Sequence, residues 1–390
     1  MTSKLFDYNY LTKKHLRGFD NYKYSAIDTS PLSKYVMHPI WNITVKFLPK
    51  WIAPNLLTFA GFVCMVLCVV LLLFYDCHCY AADDPPVNKR MPDCVYTTCA
   101  VLVFLAYNLD GIDGKQARRI GVSGPLGEMF DHGLDSFIVF LIPFSLFSVF
   151  GRDEFSVSVF RGYLIVLSVV LNFYVSHWEK YNTGTLYLPW GYDLSMWVSS
   201  AIFLLAGLNG PQFFKTYVLG NVTFVQALEI AVHTTGLFTT LPIAVYNVYL
   251  SHKNRTGKLY PLIESLRPVW SMLVLTTLMT YWAVRSPNNI LEAQLRPFLF
   301  LFGTTFSNIS SRLIVAEMSS SRCDALVPLL WPLSLLAAVA LHQPQWELAV
   351  LYTAIAVAVC VHVHYGVCVV RQMCKHFGVN CFTVPTSKQK

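Results

Sequence analysis

Apolar runs of helix length, separated by short polar stretches, recur from about residue 53 to residue 370. They cover 53–75, 94–109, 134–150, 162–176, 194–208, 222–250, 269–284, 295–310, 325–341 and 346–370. A helix needs roughly 17–25 residues to cross the hydrocarbon core, so each run is predicted as a span, the shorter ones borrowing flanking residues. The long 222–250 run is expected to tilt or to extend past the bilayer. The pattern predicts an all-α, polytopic membrane protein of about ten transmembrane helices, with both termini on one side. Residues 31–50 read differently. Aromatic, aliphatic and basic side chains are mixed there, as in an N-terminal helix lying in the membrane interface, with a break or kink at Pro39. No internal repeat or low-complexity tract is visible.

Composition sharpens this picture. Hydrophobic residues make up 55% of the 390 and charged ones 13%, where a soluble domain averages about 25% charged. The formal net charge of +7 informs through its placement. With the N-terminus in the cytosol, 22 of the 29 Lys and Arg fall in inner segments and 7 in outer ones, which favours that orientation. No basic stripe stands apart from the membrane flanks, so no nucleic-acid partner is expected. Among the 11 Cys, Cys77, Cys79, Cys94 and Cys99 gather around one loop. Without a C-x2-C pair they are expected to be free small apolar residues rather than a metal knuckle or a disulfide. The first 50 residues are polar and basic, so no cleavable leader is expected. Of the sequons at Asn42, Asn221, Asn254 and Asn308, only Asn221 is expected on the outer side.

One stretch breaks the apolar pattern. Asp110-Gly-Ile-Asp113-Gly114-Lys-Gln-Ala117-Arg118 is followed by Gly127-Glu-Met-Phe-Asp131-His-Gly-Leu-Asp135, with apolar runs on both sides. A carboxylate in a span costs roughly 2.5–3.5 kcal/mol on insertion scales, and such residues mark function. Unpaired, the four would also repel one another. On helices, Asp110 with Asp113 and Asp131 with Asp135 each share a face. Two helices joined by a short loop would aim all four carboxylates into one cleft. Hard divalent cations want oxygen ligands, and a two-metal site clamps the attacking and leaving oxygens of a phosphoryl group. Gly111, Gly114, Gly127 and Gly133 remove side chains where a phosphate or a partner helix comes close. Arg118 offers phosphate a bidentate fork. The spacing is too regular for solvated loop charges. A cation transporter would suit ten spans, yet it would not call for the glycines and the arginine.

The run from Asp110 to Asp135 also resembles the signature of the CDP-alcohol phosphotransferases, D-x2-D-G-x2-A-R, eight residues, G-x3-D-x3-D, at every fixed position. Asp20-Asn-Tyr-Lys-Tyr-Ser, Trp51-Ile-Ala-Pro54-Asn55, Ser176-His-Trp-Glu-Lys-Tyr-Asn-Thr-Gly184 and Pro189-Trp-Gly-Tyr-Asp193 are similar to its eukaryotic choline and ethanolamine branch. The likeness is greatest to ethanolaminephosphotransferases of the selenoprotein I type, over nearly the whole chain.

That resemblance implies transfer of phosphoethanolamine from CDP-ethanolamine to diacylglycerol, or to alkyl-acylglycerol, giving phosphatidylethanolamine and CMP. The close alternative is a choline or dual-specificity enzyme. It implies two Mg2+ or Mn2+ ions on Asp110, Asp113, Asp131 and Asp135, substrate contacts from Gly114, Ala117, Arg118 and Gly127, and a nucleotide contact from Asn55. Asn55 is also a candidate helix cap. In the wider family the fourth aspartate, here Asp135, is often the base. A metal-bound carboxylate is a weak base, however, and His132 is better suited to neutral pH and looks like the proton acceptor of the eukaryotic branch. The resemblance further implies an endoplasmic reticulum or Golgi membrane, a site facing the cytosol, and a homodimer. The chain then divides into a cytosolic segment with an interfacial helix (1–50), a catalytic membrane domain (51–250), further spans for lipid access or dimerisation (251–370) and a cytosolic tail (371–390).

Several polar residues stay undecided. Lys115 and Arg119 suit phosphate contact or membrane anchoring, and Glu128 suits a place near the metals. His177, Trp178, Glu179, Lys180 and Tyr181 are candidates for a headgroup pocket, with an aromatic belt the plainer account of Trp178 and Tyr181. His362 and His364, two apart on a helix, do not face one metal.

Overall fold

The protein was analysed as a computed structural model that describes residues 6–83, 89–188 and 191–384. Its helices are α1 (Lys13–Asp20), α2 (His38–Phe47), α3 (Pro54–Tyr75), α4 (Asp93–Ile120), α5 (Pro125–Phe150), α6 (Val159–Thr183), α7 (Gly191–Asn209), α8 (Phe224–Thr235), α9 (Leu241–Lys253), α10 (Leu262–Ser265), α11 (Val269–Arg285), α12 (Ile290–Ala293), α13 (Leu295–Met318), α14 (Leu330–His342) and α15 (Glu347–Phe377). Among the described residues, eight helical stretches are long and apolar enough to cross a membrane. The chain is therefore an all-α polytopic membrane protein. Of the ten predicted spans, the other two are α11, with 17 residues, and α14, with 13.

Two prolines inside helical runs are handled alike. Single turns of π-helix at Ser33–Met37 and Gly236–Thr240 precede Pro39 and Pro242, which then sit in the first turn of α2 and α9. Proline has no N–H to donate, and the widened turn absorbs the missing bond, so the helical path continues. The break expected at Pro39 is such a turn. Through the second one, α8 and α9 form a single apolar stretch, Phe224–Lys253.

The short strands carry no signal in the apolar pattern of the chain. β1 (Ala26–Asp28) pairs in parallel with β2 (Leu186–Leu188), Ala26 opposite Leu186, which ties the N-terminal segment to the end of α6. β3 (Tyr217–Leu219) and β4 (Val222–Thr223) form a hairpin before α8. The eleven cysteines are free thiols, Cys77, Cys79, Cys94 and Cys99 among them.

The N-terminal segment is fastened to the bundle. The Trp41 indole N–H donates to Asn108 Oδ1 at 3.0 Å, and its ring lies so close over Gly111 that a Cβ there would fall 2.3 Å away. Lys115 donates to Asn42 Oδ1 at 2.8 Å. Arg119 donates to the carbonyls of Val45, Leu48 and Lys46 at 2.7, 2.7 and 3.1 Å, capping the open end of α2. Gln116, fully buried, donates to Pro49 O at 3.0 Å. Ile40, Ile43 and Phe47 line the outer face of α2 and are exposed, the arrangement of a helix lying on a lipid surface.

Candidate active site

The N-terminal ends of α3, α5 and α7 meet the C-terminal ends of α4, α6 and α13 at one end of the bundle. Asp110 and Asp113 lie on the last turns of α4, which stops at Gly121 in the left-handed conformation (φ 72°). Asp131 and Asp135 lie on the first turns of α5, four residues on. Asp110, Asp113 and Asp131 each present a carboxylate oxygen within 4.8 Å of the others. Asp135 falls outside this trio, although the charges of Asp110 and Asp113 act on it.

Among the described residues no Lys or Arg forms an ion pair with the trio, although the Arg118 charge acts on Asp113. Asp113, buried, accepts from Thr58 on α3, and Asp110 accepts from the Tyr192 hydroxyl on α7 at 2.9 Å. Asp131 Oδ1 is buried with no hydrogen-bond partner. Three carboxylates at this separation repel unless protonated or bridged by a cation. An all-oxygen donor set with an orphaned oxygen fits a hard divalent ion.

The phosphate-side residues are placed as follows. Arg118 is exposed, folds back along α4 over Gly114, and makes no hydrogen bond or ion pair among the described residues. A Cβ on Gly127 would meet only Asn55 Oδ1, at 3.5 Å, so the space beside both glycines is open. Ala117 shares the last turn of α4 with Arg118. Lys115 and Arg119, by contrast, are committed to α2 and are not free for phosphate. Asn55 is no helix cap: Ala53 holds that position and Pro54 opens the helix. Asn55 instead donates to Cys381 O at 3.0 Å, and Phe382 packs against Phe59 and Phe130 with centroids 5.7 and 5.5 Å apart. The segment after α15 thus lies across the face of α3 and α5 beside the site. Burial pushes the Cys381 thiol up to about 11, so it stays protonated.

His132 is buried. Its Nε2 stands 3.9 Å from Asp131 Oδ2 and its Nδ1 3.9 Å from Glu128 Oε1, both beyond hydrogen-bond distance. It therefore does not orient Asp131 by a bond. The His177 ring packs edge-on against it with centroids 5.2 Å apart.

Next to the trio sits a charged knot. Lys180 meets Glu128 Oε1 and Glu317 Oε1, both at 2.6 Å; Tyr22 donates to Glu128 Oε1 at 2.5 Å, and His177 Nδ1 lies 3.2 Å from Glu317 Oε2. Glu128 is thus tied to Lys180 and Tyr22. Tyr24 stands beside the knot with its side chain exposed. Trp178 and Tyr181 are no aromatic belt. Both are buried, Trp178 donating to Ser265 O at 2.7 Å and Tyr181 stacking on Tyr260 at 4.9 Å. Glu179 accepts from Asn247 at 2.6 Å, away from the knot. His362 packs on Phe137 and His364 bonds Tyr10, so they do not share a ligand. Pro189 and Trp190 lie outside the described residues.

Sequence reasoning missed Thr58, Tyr192 and Glu317. Thr58 had a signal, standing three residues after Asn55 on the same helix face. Tyr192 lay inside a stretch noted only for its resemblance. Glu317 carried no signal, because it arrives from a distant helix.

A family model described as CDP-alcohol phosphatidyltransferase matches residues 51–283, more than half of the chain. The chain belongs to that family. A protein named ethanolaminephosphotransferase 1 from Mus musculus is 44% identical over 380 residues, 97% of this chain and 95% of its own length. One of the same name from Homo sapiens is 44% identical over 379 residues, with the same shares. Choline/ethanolaminephosphotransferase 1 from Arabidopsis thaliana is 28% identical over 407 residues, 96% of this chain and 98% of its own length. This CDP-alcohol phosphatidyltransferase is accordingly a membrane-embedded transferase of phospholipid biosynthesis, and its aspartate trio can hold a metal ion.

Proposed function

We propose that the protein transfers phosphoethanolamine from CDP-ethanolamine to diacylglycerol, or to an alkyl-acylglycerol, releasing phosphatidylethanolamine and CMP. The observation that carries this is the trio of carboxylates within 4.8 Å, without a basic partner and with a buried oxygen left over, at the mouth of a helical bundle. The 44% identity to ethanolaminephosphotransferase 1 supports the donor.

Asp110, Asp113 and Asp131, with Asp135, would hold two divalent ions, Mg2+ or Mn2+. Bound there, the ions supply charge neutralisation for the donor's diphosphate and for departing CMP. Arg118 grips phosphate oxygens from the exposed side. Gly114, Ala117 and Gly127 leave room for the nucleotide, and Asn55, whose Oδ1 lies beside Gly127 while its amide N–H bonds Cys381, would contact it. The lipid arrives laterally, so the site belongs at the membrane interface. Its hydroxyl oxygen forms a bond to the β-phosphorus, and the bond from that phosphorus to the CMP oxygen breaks. His132 takes the hydroxyl proton at Nε2, the nitrogen facing Asp131, and Glu128 near Nδ1 steadies the resulting imidazolium. Asp135 is the second candidate for that proton. Residues 51–250 form the catalytic unit and 251–370 serve lipid access or pairing into a homodimer. The charge bias supports a site that faces the cytosol, and the likeness to ethanolaminephosphotransferases supports an endoplasmic reticulum or Golgi membrane.

The deciding experiment follows CMP release by purified protein given diacylglycerol and either CDP-ethanolamine or CDP-choline, with and without Mg2+ or Mn2+. Metal-dependent release favouring CDP-ethanolamine is expected; preference for CDP-choline overturns the donor, and metal-independent release overturns the role of the aspartates.

A further inference from the structure

The charged knot beside the aspartates has a composition that matters for the donor's headgroup. The Lys180 ammonium, its side chain 1% exposed, is held by Glu128 and Glu317 and stands 5.6 and 5.8 Å from the ring centroids of Tyr22 and Tyr24. Aromatic faces and carboxylates around one ammonium are the recipe by which proteins recognise quaternary amines. Here the recess is filled by a side chain of the protein itself. We propose that Lys180 is a specificity-determining residue: by occupying this cation cage it excludes a trimethylammonium headgroup and admits a primary ammonium. The inference rests on the reading that the donor is a CDP-linked amino alcohol.

Position supports it. Glu128 precedes Asp131 by one helical turn on α5, and its Oε1 lies 3.9 Å from His132 Nδ1, so the cage abuts the aspartate cluster. The donor's amine sits on a two-carbon arm from the β-phosphate. With that phosphate at the aspartates, the arm ends among the groups flanking them. On the side of α5 and α6 these are Glu128, Lys180, Tyr22 and Tyr24.

Chemistry supports it as well. A trimethylammonium donates no hydrogen bond and depends on the aromatic faces that Lys180 already covers. It is also too bulky to share the recess with a second cation. A primary ammonium is compact and donates three hydrogen bonds. Lys180 and Tyr22 both bond Glu128 through Oε1, and Oε2 takes no side-chain hydrogen bond among the described residues, which leaves it as an acceptor. Lys180 does not swing aside easily, because Glu317 is itself braced by His177 at 3.2 Å.

Removing Lys180 alone would strand two buried carboxylates, so the decisive variant is K180Q/E317Q, which removes one charge of each sign. Its ratio of kcat/KM for CDP-choline to that for CDP-ethanolamine is expected to rise at least tenfold over wild type, through a lower KM for CDP-choline. K180R, which keeps the cage filled, is expected to hold the wild-type ratio. An unchanged ratio in the double variant, or equal relaxation by K180R, overturns the proposal. A readout independent of turnover and of the variants' folding uses wild-type protein: phosphoethanolamine is expected to raise its unfolding temperature and phosphocholine is not, and equal protection by both overturns the proposal. If wild type releases CMP from neither donor, the reading of the reaction fails instead, separately from the role of Lys180.

Discussion

Two acidic groups sit side by side at one end of this bundle, and the chain treats them in opposite ways. Glu128 and Glu317 are neutralised from within, by Lys180, with Tyr22 donating to Glu128 and His177 beside Glu317. Asp110, Asp113 and Asp131 receive hydroxyls from Tyr192 and Thr58 but no cation, and one oxygen of Asp131 has no partner. A buried charge persists only when paired or ligated. The first group has its counter-charge built into the sequence, so it is framework. The second lacks one among the described residues, so it is where a bound cation would supply the counter-charge.

The contrast predicts opposite responses to perturbation. Chelation of divalent metal, or Asp113→Asn, should lower CMP release on the order of 10³-fold, since charge stabilisation of a phosphoryl group is worth several kcal/mol. Release that survives chelation would break the comparison at its stronger side. Lys180→Met should destabilise the fold by about 3–5 kcal/mol, read as thermal unfolding in detergent, because it leaves buried carboxylates unpaired. Thr58→Val removes a hydroxyl donated to a buried carboxylate, and turnover should fall roughly 10-fold or more, with Thr58→Ser close to wild type. Arg118→Lys should raise the KM for the CDP-linked donor by about 10-fold with little change in kcat, as a point charge replaces a fork. The smallest effect sharpens the contrast most. Without metal, Asp131→Asn should raise the unfolding temperature by about 1–3 °C through relief of repulsion, whereas Glu317→Gln should lower it.

The two groups also differed in how readable they were. Asp110, Asp113 and Asp131 lie within 22 residues on two consecutive helices, so helical periodicity alone put them on facing surfaces, while Asp135, expected in the same cleft, falls outside the trio. The knot draws on Tyr22, Glu128, Lys180 and Glu317, from four distant parts of the chain, and no local pattern joins them. Lys115 and Arg119 show the same limit from the other direction. Their charge near a phosphate motif suggested ligand contact, but both are spent on fastening α2. Trp178 and Tyr181 suggested a belt at the membrane surface and proved to be packed inside.

By itself the sequence determined the all-helical, membrane-spanning class, a helix before the first span, and the acidic cluster. Each follows from spacing within one or two neighbouring helices, where the 3.6-residue repeat and the cost of charge in lipid act locally. Only the tertiary structure decided which charges are neutralised by the chain and which are left open, that Asn55 faces Cys381, and that Thr58 and Tyr192 brace the aspartates. Those outcomes depend on which helix ends converge, and that is set by packing between segments far apart in the chain.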